Sequence, residues 1–213
     1  RLNTEDVNIL TVEDPIEYQL AGVGQMQVKS KIDLTFAAGL RSILRQDPDI
    51  IMVGEVRDLE TAEIAVQSAL TGHRVFTTLH TNDAASAVTR LIDMGIEPFL
   101  ISSSVNAFLA QRLVRTLCPK CRKAYKPAAS DLKDLGITPA LAKKGKFYKA
   151  VGCDACFKTG YSGRVGIYEL LPVTNTIRKL VVERADASRI KEAAVAEGMK
   201  TLVSEKKEKA MTN

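Results

Sequence analysis

Four cysteines fall into two Cys-x-x-Cys pairs, Cys118/Cys121 and Cys153/Cys156, with 31 residues between the pairs. Each short turn sets two sulfurs on one side of the chain, so the two pairs can give four thiolates to a single tetrahedral Zn2+. The gap exceeds the usual interval of about 15–20 residues. An excursion over residues 130–149 must therefore leave the metal lobe and rejoin it. Pro119 and Gly152 supply turn chemistry beside the pairs. Two disulfides, or redox chemistry at a single pair, are the competing readings. The first is disfavoured in a chain without secretory features, and the second needs only one pair. Three further segments carry groups of another kind. They are Glu13-Asp14-Pro15-Ile16-Glu17, the run from Asp47 to Asp58 that contains Glu55, and the run from Gly72 to Asp83 that contains His73 and His80. Carboxylates at neighbouring strand tips can hold Mg2+ or its waters and orient an attacking water, and a strand-tip histidine can meet a phosphate. Singly these signals are weak, since either histidine can be structural. Asp47, Asp49 and Asp58 read as turn and capping residues. Their accumulation in one short stretch is what carries weight.

Those groups need elements to place them. Asn8–Glu13 reads as a strand closed by Asp14-Pro15, and Val23–Val28 as a short half-exposed strand. Phe36, Leu40, Ile43 and Leu44 recur at helical spacing, with Asp33 or Thr35 as cap. Ile50–Val53 followed by Gly54 has the form of a buried parallel strand. Leu59–Leu70 is helical and stops at Gly72, Arg74–Leu79 is a strand, and Asp83 caps a helix reaching Met94. Pro98 is expected to open a long helix running through Leu117. Beyond the second cysteine pair come a strand at Val165–Leu171, helices at about Thr174–Arg184 and Ala187–Ala196, and a charged tail, Glu205–Lys209. Strands alternating with helices predict an α/β core around a parallel sheet, with its chemistry at the carboxyl ends of the strands.

Composition narrows the classes. Of 213 residues, 46% are apolar and 26% charged, as in ordinary soluble globular proteins. The greasiest run, Ile50–Val53, is four residues long, far short of the roughly 18 that a membrane span requires. No basic-then-apolar leader opens the chain, and its first residue is Arg1, so the expectation is a cytoplasmic piece of something longer. Trp is absent and aromatics make up 5%, which argues against a nucleic-acid platform of stacked rings. The net charge of +5 is unevenly spread: Arg112–Lys149 holds eleven Lys or Arg against two Asp, leaving the remainder mildly acidic. Such a basic segment is either a solvated face or a contact surface for phosphates, anionic lipid or an acidic partner.

Taken in order, these segments closely resemble the ATPases that drive type II secretion and type IV pilus assembly, from about Asn8 to Leu202. Thr11-Val12-Glu13-Asp14-Pro15-Ile16-Glu17 is similar to that family's Asp box. Arg45–Asp49 through Glu55-Val56-Arg57-Asp58 is similar to its atypical Walker B segment. Thr71-Gly72-His73 and Thr78-Leu79-His80-Thr81-Asn82 are similar to its His box. Met94–Phe99 and Ala110–Arg115 also resemble family segments, and the four-cysteine insertion resembles the secretion and pilus-extension branches. The resemblance implies a RecA-like core over residues 1–117, a zinc subdomain over 118–160 and a C-terminal strand with helices over 161–213. It implies that Glu55 binds Mg2+ through water and positions the nucleophile, that Glu13 or Glu17 is the general base, and that His73 and His80 approach the γ-phosphate of ATP. Arg112 and Arg115 are weak candidates for fingers acting between subunits. The implied assembly is a homo-hexamer at the cytoplasmic face of the inner membrane, working with a platform protein and other machinery subunits and without nucleic acid. Such ATPases carry a Gly-rich phosphate loop ending in Gly-Lys-Ser/Thr, and no such sequence occurs here. The expectation is therefore the C-terminal half of a motor, inactive alone. The competing function is a zinc-ribbon nucleic-acid-binding protein, suggested by the cysteines and the basic stretch.

Overall fold

A computed structural model describes residues 1–134, 136–143 and 145–212, and the chain separates into two compact units. The first comprises Arg1–Phe108 and Pro172–Ala194. Its centre is a four-stranded sheet in the order β2-β1-β3-β4, formed by β1 (Ile9–Glu13), β2 (Val23–Gln27), β3 (Ile50–Val53) and β4 (Arg74–Thr77). All three ladders are parallel, and Ile9 lies opposite both Val23 and Ile50. β3 is almost wholly buried because a central parallel strand has helices over both faces, which is why it reads as an unbroken apolar run.

Three helices of this unit start where a side chain satisfies a free backbone N–H. Thr35 accepts from Ala38 N at 3.2 Å to open α1 (Phe36–Ile43), whose Phe36, Ala37, Leu40 and Ile43 turn into the core. Asp58 accepts from Thr61 N at 2.8 Å to open α2 (Leu59–Leu70). Asp83 accepts from Ser86 N at 2.9 Å to open α3 (Ala84–Asp93). The sequence left the first cap open between Asp33 and Thr35; it is Thr35, and Asp33 instead takes a left-handed conformation after a short 3-10 turn.

The helix expected from Pro98 to Leu117 is not one helix. α4 covers Pro98–Ser104 only, and the chain then extends into β5 (Ala107–Leu117). Three consecutive serines mark the break. Ser102 and Ser103 donate their hydroxyls to Phe99 O, and Ser104 donates to Leu100 O. Such back-bonding competes with the helical ladder and weakens its last turn. Beyond it, Phe108 and Ala110 are buried while Ala107, Leu109 and Gln111 are exposed, a period of two that suits the pairing of β5 with β8 (Tyr161–Pro172). Tertiary pairing here overrides a composition that is locally good for helix. α7 (Asn175–Val182) and α8 (Ala187–Ala196) follow, with Thr174 capping α7.

The second unit comprises Leu109–Leu171 and Val195–Asn213. It holds most of the β5–β8 ribbon, a small antiparallel ribbon of β6 (Lys123–Ala124) and β7 (Tyr148–Lys149), and the short helices α5 (Ala129–Asp134) and α6 (Pro139–Ala142). The stretch expected as a charged tail is instead part of α9 (Leu202–Thr212). Two groups open that helix: Thr201 Oγ1 accepts from Ser204 N at 3.1 Å, and the buried Glu169 carboxylate accepts from Leu202 N at 3.1 Å. Among the described residues no helix is long and apolar enough to cross a membrane.

Candidate functional site

The carboxyl end of the sheet collects the acidic groups. Glu13 ends β1, and its Oε1 accepts from Thr11 Oγ1 at 2.5 Å and from Gln25 Nε2 at 2.8 Å. The buried Thr11 and the neighbouring strand thereby fix the direction of this carboxylate. Gly54, just beyond β3, donates to Val12 O at 2.7 Å. A Cβ at Gly54 would stand 3.2 Å from Val12 O and 3.3 Å from Glu13 Cα. Glycine therefore allows the β3 tip to lie against the β1 tip and sets Glu55 beside Glu13. The other flank is closed by Val56 N donating to Thr78 O at 3.0 Å and Thr78 Oγ1 donating to Gly54 O at 2.6 Å.

Glu55 is the most enclosed of these acids, with a side chain 12% exposed. Arg57 Nη2 donates to its Oε1, and His80 Nε2 lies 3.0 Å from its Oε2. A carboxylate only accepts, so Nε2 of His80 carries the hydrogen. The Arg57 hydrogen bond is the main reason the Glu55 carboxyl sits below its ordinary value; burial pushes the other way, and His80 adds to the lowering. Arg57 Nη1 also lies 4.0 Å from Asp14 Oδ2, so one guanidinium spans the β1 and β3 tips. The geometry holds an ionised carboxylate at a strand tip with a cation and an imidazole already aimed at it.

The expected residues do not all meet there. Glu13, Glu55 and His80 share the carboxyl end of the sheet. Glu17 stands exposed in the loop after β1. His73 precedes β4, at the amino end of the sheet, where its Nδ1 donates to Ser68 O at 3.0 Å and pins the end of α2. Arg112 and Arg115 are on β5, and Arg115 packs over the Tyr161 ring at 3.8 Å. Arg57, to which the sequence alone gives no role, joins the site by reaching Glu55 and Asp14. The available signal was its position two residues after a carboxylate at a strand tip, within reach of the same ligand.

Asp83 extends the network. Burial pushes its carboxyl up, but the Lys191 ammonium and the Ser86 donors outweigh that and leave it below its ordinary value. Lys191 of α8 meets Asp83 Oδ2 at 2.8 Å, three residues beyond His80.

The four cysteines of the second unit converge, with sulfurs all within 4.8 Å of one another. Cys118 and Cys153 are 4.0 Å apart, Cys121 and Cys156 3.9 Å, and Cys153 and Cys156 3.8 Å. Four sulfurs about 2.3 Å from a tetrahedral centre stand about 3.8 Å apart, so the cage fits a metal ion. The separations are far beyond the roughly 2.05 Å of a disulfide bond. Cys156 Sγ accepts from Cys153 N and Gly160 N, both at 3.2 Å, and Cys121 Sγ accepts from Gly152 N at 3.4 Å. Burial pushes the Cys156 thiol up, but those two amides, together with the Cys153 and Cys121 side chains, more than offset it and hold it at about 6. At Cys121 burial prevails and raises the thiol to about 11.

Comparison with known proteins supplies relatives of the chain. The whole chain, residues 1–213, matches the family described as Type II/IV secretion system protein. It is 54% identical over 202 residues to the type II secretion system protein HxcR of Pseudomonas aeruginosa, covering 95% of this chain and 39% of that relative. It is 59% identical over 180 residues to the type II secretion system protein E of Aeromonas hydrophila, covering 84% and 36%. It is 52% identical over 202 residues to the type IV pilus assembly ATPase PilB of Thermus thermophilus, covering 95% and 23%. The chain thus spans about a third of the length of the curated relatives it matches. Among solved structures, the pilus retraction motor PilT with bound ADP superposes at a TM-score of 0.59 with 28% identity, covering 95% of this chain and 52% of that one. The Legionella pneumophila ATPase DotB superposes at 0.63 with 24% identity over all of this chain and 51% of its own, which bears on the fold alone. These relatives are secretion and pilus proteins, and the zinc-ribbon nucleic-acid reading finds no support among them.

Proposed function

The chain belongs to the type II/IV secretion system protein family, and from that premise we propose that it is the C-terminal portion of a hexameric motor ATPase powering secretion or pilus assembly. The observation that carries the reading is the ionised Glu55 at the β3 tip, held by Arg57 and His80 beside Glu13. In this proposal Glu55 holds the waters of a nucleotide-bound Mg2+ and helps to position the attacking water. Glu13, already oriented by Thr11 and Gln25, takes the proton from that water, with Glu17 as the alternative base. His80 meets the γ-phosphate end of ATP, and phosphate loss releases it from, or returns it to, Glu55. His73 acts from the opposite end of the sheet by holding α2, which is capped by Asp58, three residues after Glu55. The segments 1–117, 118–160 and 161–213 divide the labour into nucleotide chemistry, metal lobe and C-terminal helices. The thiolate cage is assigned to Zn2+, a closed four-sulfur site with a structural task. The working protein is a homo-hexamer, peripheral to the inner membrane from the cytoplasmic side, acting on a platform protein and its partner subunits.

ATP affinity in such motors comes largely from backbone N–H groups and a Lys of a Gly-rich loop, and this sequence contains no Gly-Lys-Ser/Thr. Phosphate release should therefore stay at background for the 213-residue chain and appear, Mg2+-dependent, in a longer protein that includes the loop. A longer protein that turns over no ATP under the same conditions would overturn the reading.

A further inference from the structure

His80 sits on the loop from β4 to α3, and its side chain is 86% exposed. A ring so open to water is not placed by packing, so its approach to Glu55 is set by the two ends of the loop that carries it. The first end is tied to the β3 tip, where Val56 N donates to Thr78 O and Thr78 Oγ1 donates to Gly54 O. The second end is Asp83. Its Oδ1 accepts from Ser86 N at 2.9 Å and from Ser86 Oγ at 2.5 Å, and its carbonyl accepts from Thr81 Oγ1 at 3.1 Å. Its other carboxylate oxygen, Oδ2, accepts from Lys191 Nζ at 2.8 Å, a partner 108 residues along the chain. Lys191 is on α8, next to the fully buried Ile190, so its ammonium extends from backbone that is fixed on the core of the first unit.

We propose that Lys191 is a positioning residue for His80: by holding Asp83 Oδ2 it fixes the far end of the loop from which His80 meets Glu55. That this placement serves hydrolysis rests on the function proposed above, in which His80 also meets the γ-phosphate. Capping alone does not account for the pair. The cap of α3 uses Oδ1, and an uncharged Asn would cap the helix about as well. Oδ2 and the negative charge are left for another task, and the group that takes them comes from α8. The side chains of Lys191 and Asp83 are 36% and 22% exposed, so water screens the pair only in part. Thr81 Oγ1, one residue beyond His80, ties the intervening turn to Asp83 itself. A slack Asp83 would therefore loosen the turn that presents the imidazole.

The sequence contains two histidines, His73 and His80, and His73 lies at the opposite end of the sheet. Nitrogen-resolved NMR of the imidazole rings in the 213-residue chain therefore reads one site against an internal control. Lys191→Gln is expected to move the His80 signals toward those of an unrestrained imidazole and to leave those of His73 in place. Asp83→Asn, which keeps the cap and removes the charge, should do the same, and the double variant should go no further than either single one. Lys191→Arg should keep the parent's signals. In a longer protein that includes the phosphate loop, Lys191→Gln should lower kcat about 10- to 100-fold with KM within about twofold. Lys191→Arg should there stay within about threefold of the parent. Lys200→Gln, which breaks an exposed ion pair with Glu208 in the second unit, should change neither readout. Unchanged His80 signals in Lys191→Gln would overturn the proposal. So would signals of both histidines moving together, the mark of a general loosening of the sheet unit. A His80 that moves while kcat holds would overturn its link to hydrolysis. A longer parent protein that turns over no ATP would overturn the function proposed above, and the ring signals would still decide whether Lys191 places His80.

Discussion

In the parallel-sheet unit, Val12, Leu40, Ile51, Val53 and Val88 are completely withdrawn from water. Among the described residues of the tetracysteine unit Leu171 reaches that degree and Ile167 comes near it, and two core places are taken by Cys118 and Cys156. A third is taken by an acid, Glu169, occupied in opening α9. The first unit is thus held by apolar area removed from water. The second buries less of it and instead gathers four cysteines into a cage that could hold a metal ion. The same difference divides function. The unit with the larger apolar core carries the oriented acids Glu13 and Glu55, whereas the tetracysteine unit carries exposed cations such as Lys123 and Lys149.

Removing the metal should separate the two units most sharply. A structural four-thiolate site contributes roughly 10–16 kcal/mol of metal binding to the fold it closes. Cys156→Ser, or chelation under reducing conditions, should render residues 118–160 protease-sensitive while leaving the sheet unit folded. Limited proteolysis with mass spectrometry reads the outcome. Loss of protection across β1–β4 as well would show that the two units depend on one metal.

The converse variant is Leu40→Ala, which empties a fully buried place in α1. It should cost about 2–5 kcal/mol in the sheet unit, seen as a lower denaturant midpoint. Metal stoichiometry measured in the absence of denaturant should be unchanged. A parallel loss of metal would erase the distinction between the units.

Acid should have a smaller effect, confined to the sheet unit. The folded Glu55 carboxyl lies below its ordinary 4.5, so the folded state binds the proton less readily than the unfolded chain. Its contribution is therefore complete above about pH 4.5 and is lost as pH falls through the lowered folded value. The stability difference between the native chain and Glu55→Gln should shrink over that window and be flat at neutral pH. A difference that grows toward acid would mean that Arg57 does not hold Glu55 as an anion.

Much of the sheet unit is legible in the sequence, because buried parallel strands and capped helices leave local marks. Ile50–Val53 before Gly54, Asp58 before Leu59 and Asp83 before Ala84 each state an element boundary within a few residues. Glu55 and His80 could each be placed at a strand end because each follows a run read as a strand; that they meet is seen in the fold. β5 could not be read, since the partner that makes Ala107–Leu117 a strand lies on β8, more than forty residues away, and the local composition favours helix. α9 was hidden for a related reason: the buried group that opens it, Glu169, belongs to a strand. Arg57 carries no spacing rule of its own, and only the folded loop shows it reaching both Glu55 and Asp14.

Nucleotide hydrolysis is expected to depend on the charged, oriented Glu55 at the β3 tip. The most direct test is steady-state phosphate release by a longer protein that includes the phosphate loop, with and without Glu55→Gln. This substitution keeps size and hydrogen-bonding reach while removing the negative charge. In Glu55→Gln kcat is expected to fall by about a hundredfold or more, as for loss of a group that positions the nucleophile, while KM changes little. A variant whose kcat stays within about twofold of the parent would contradict it.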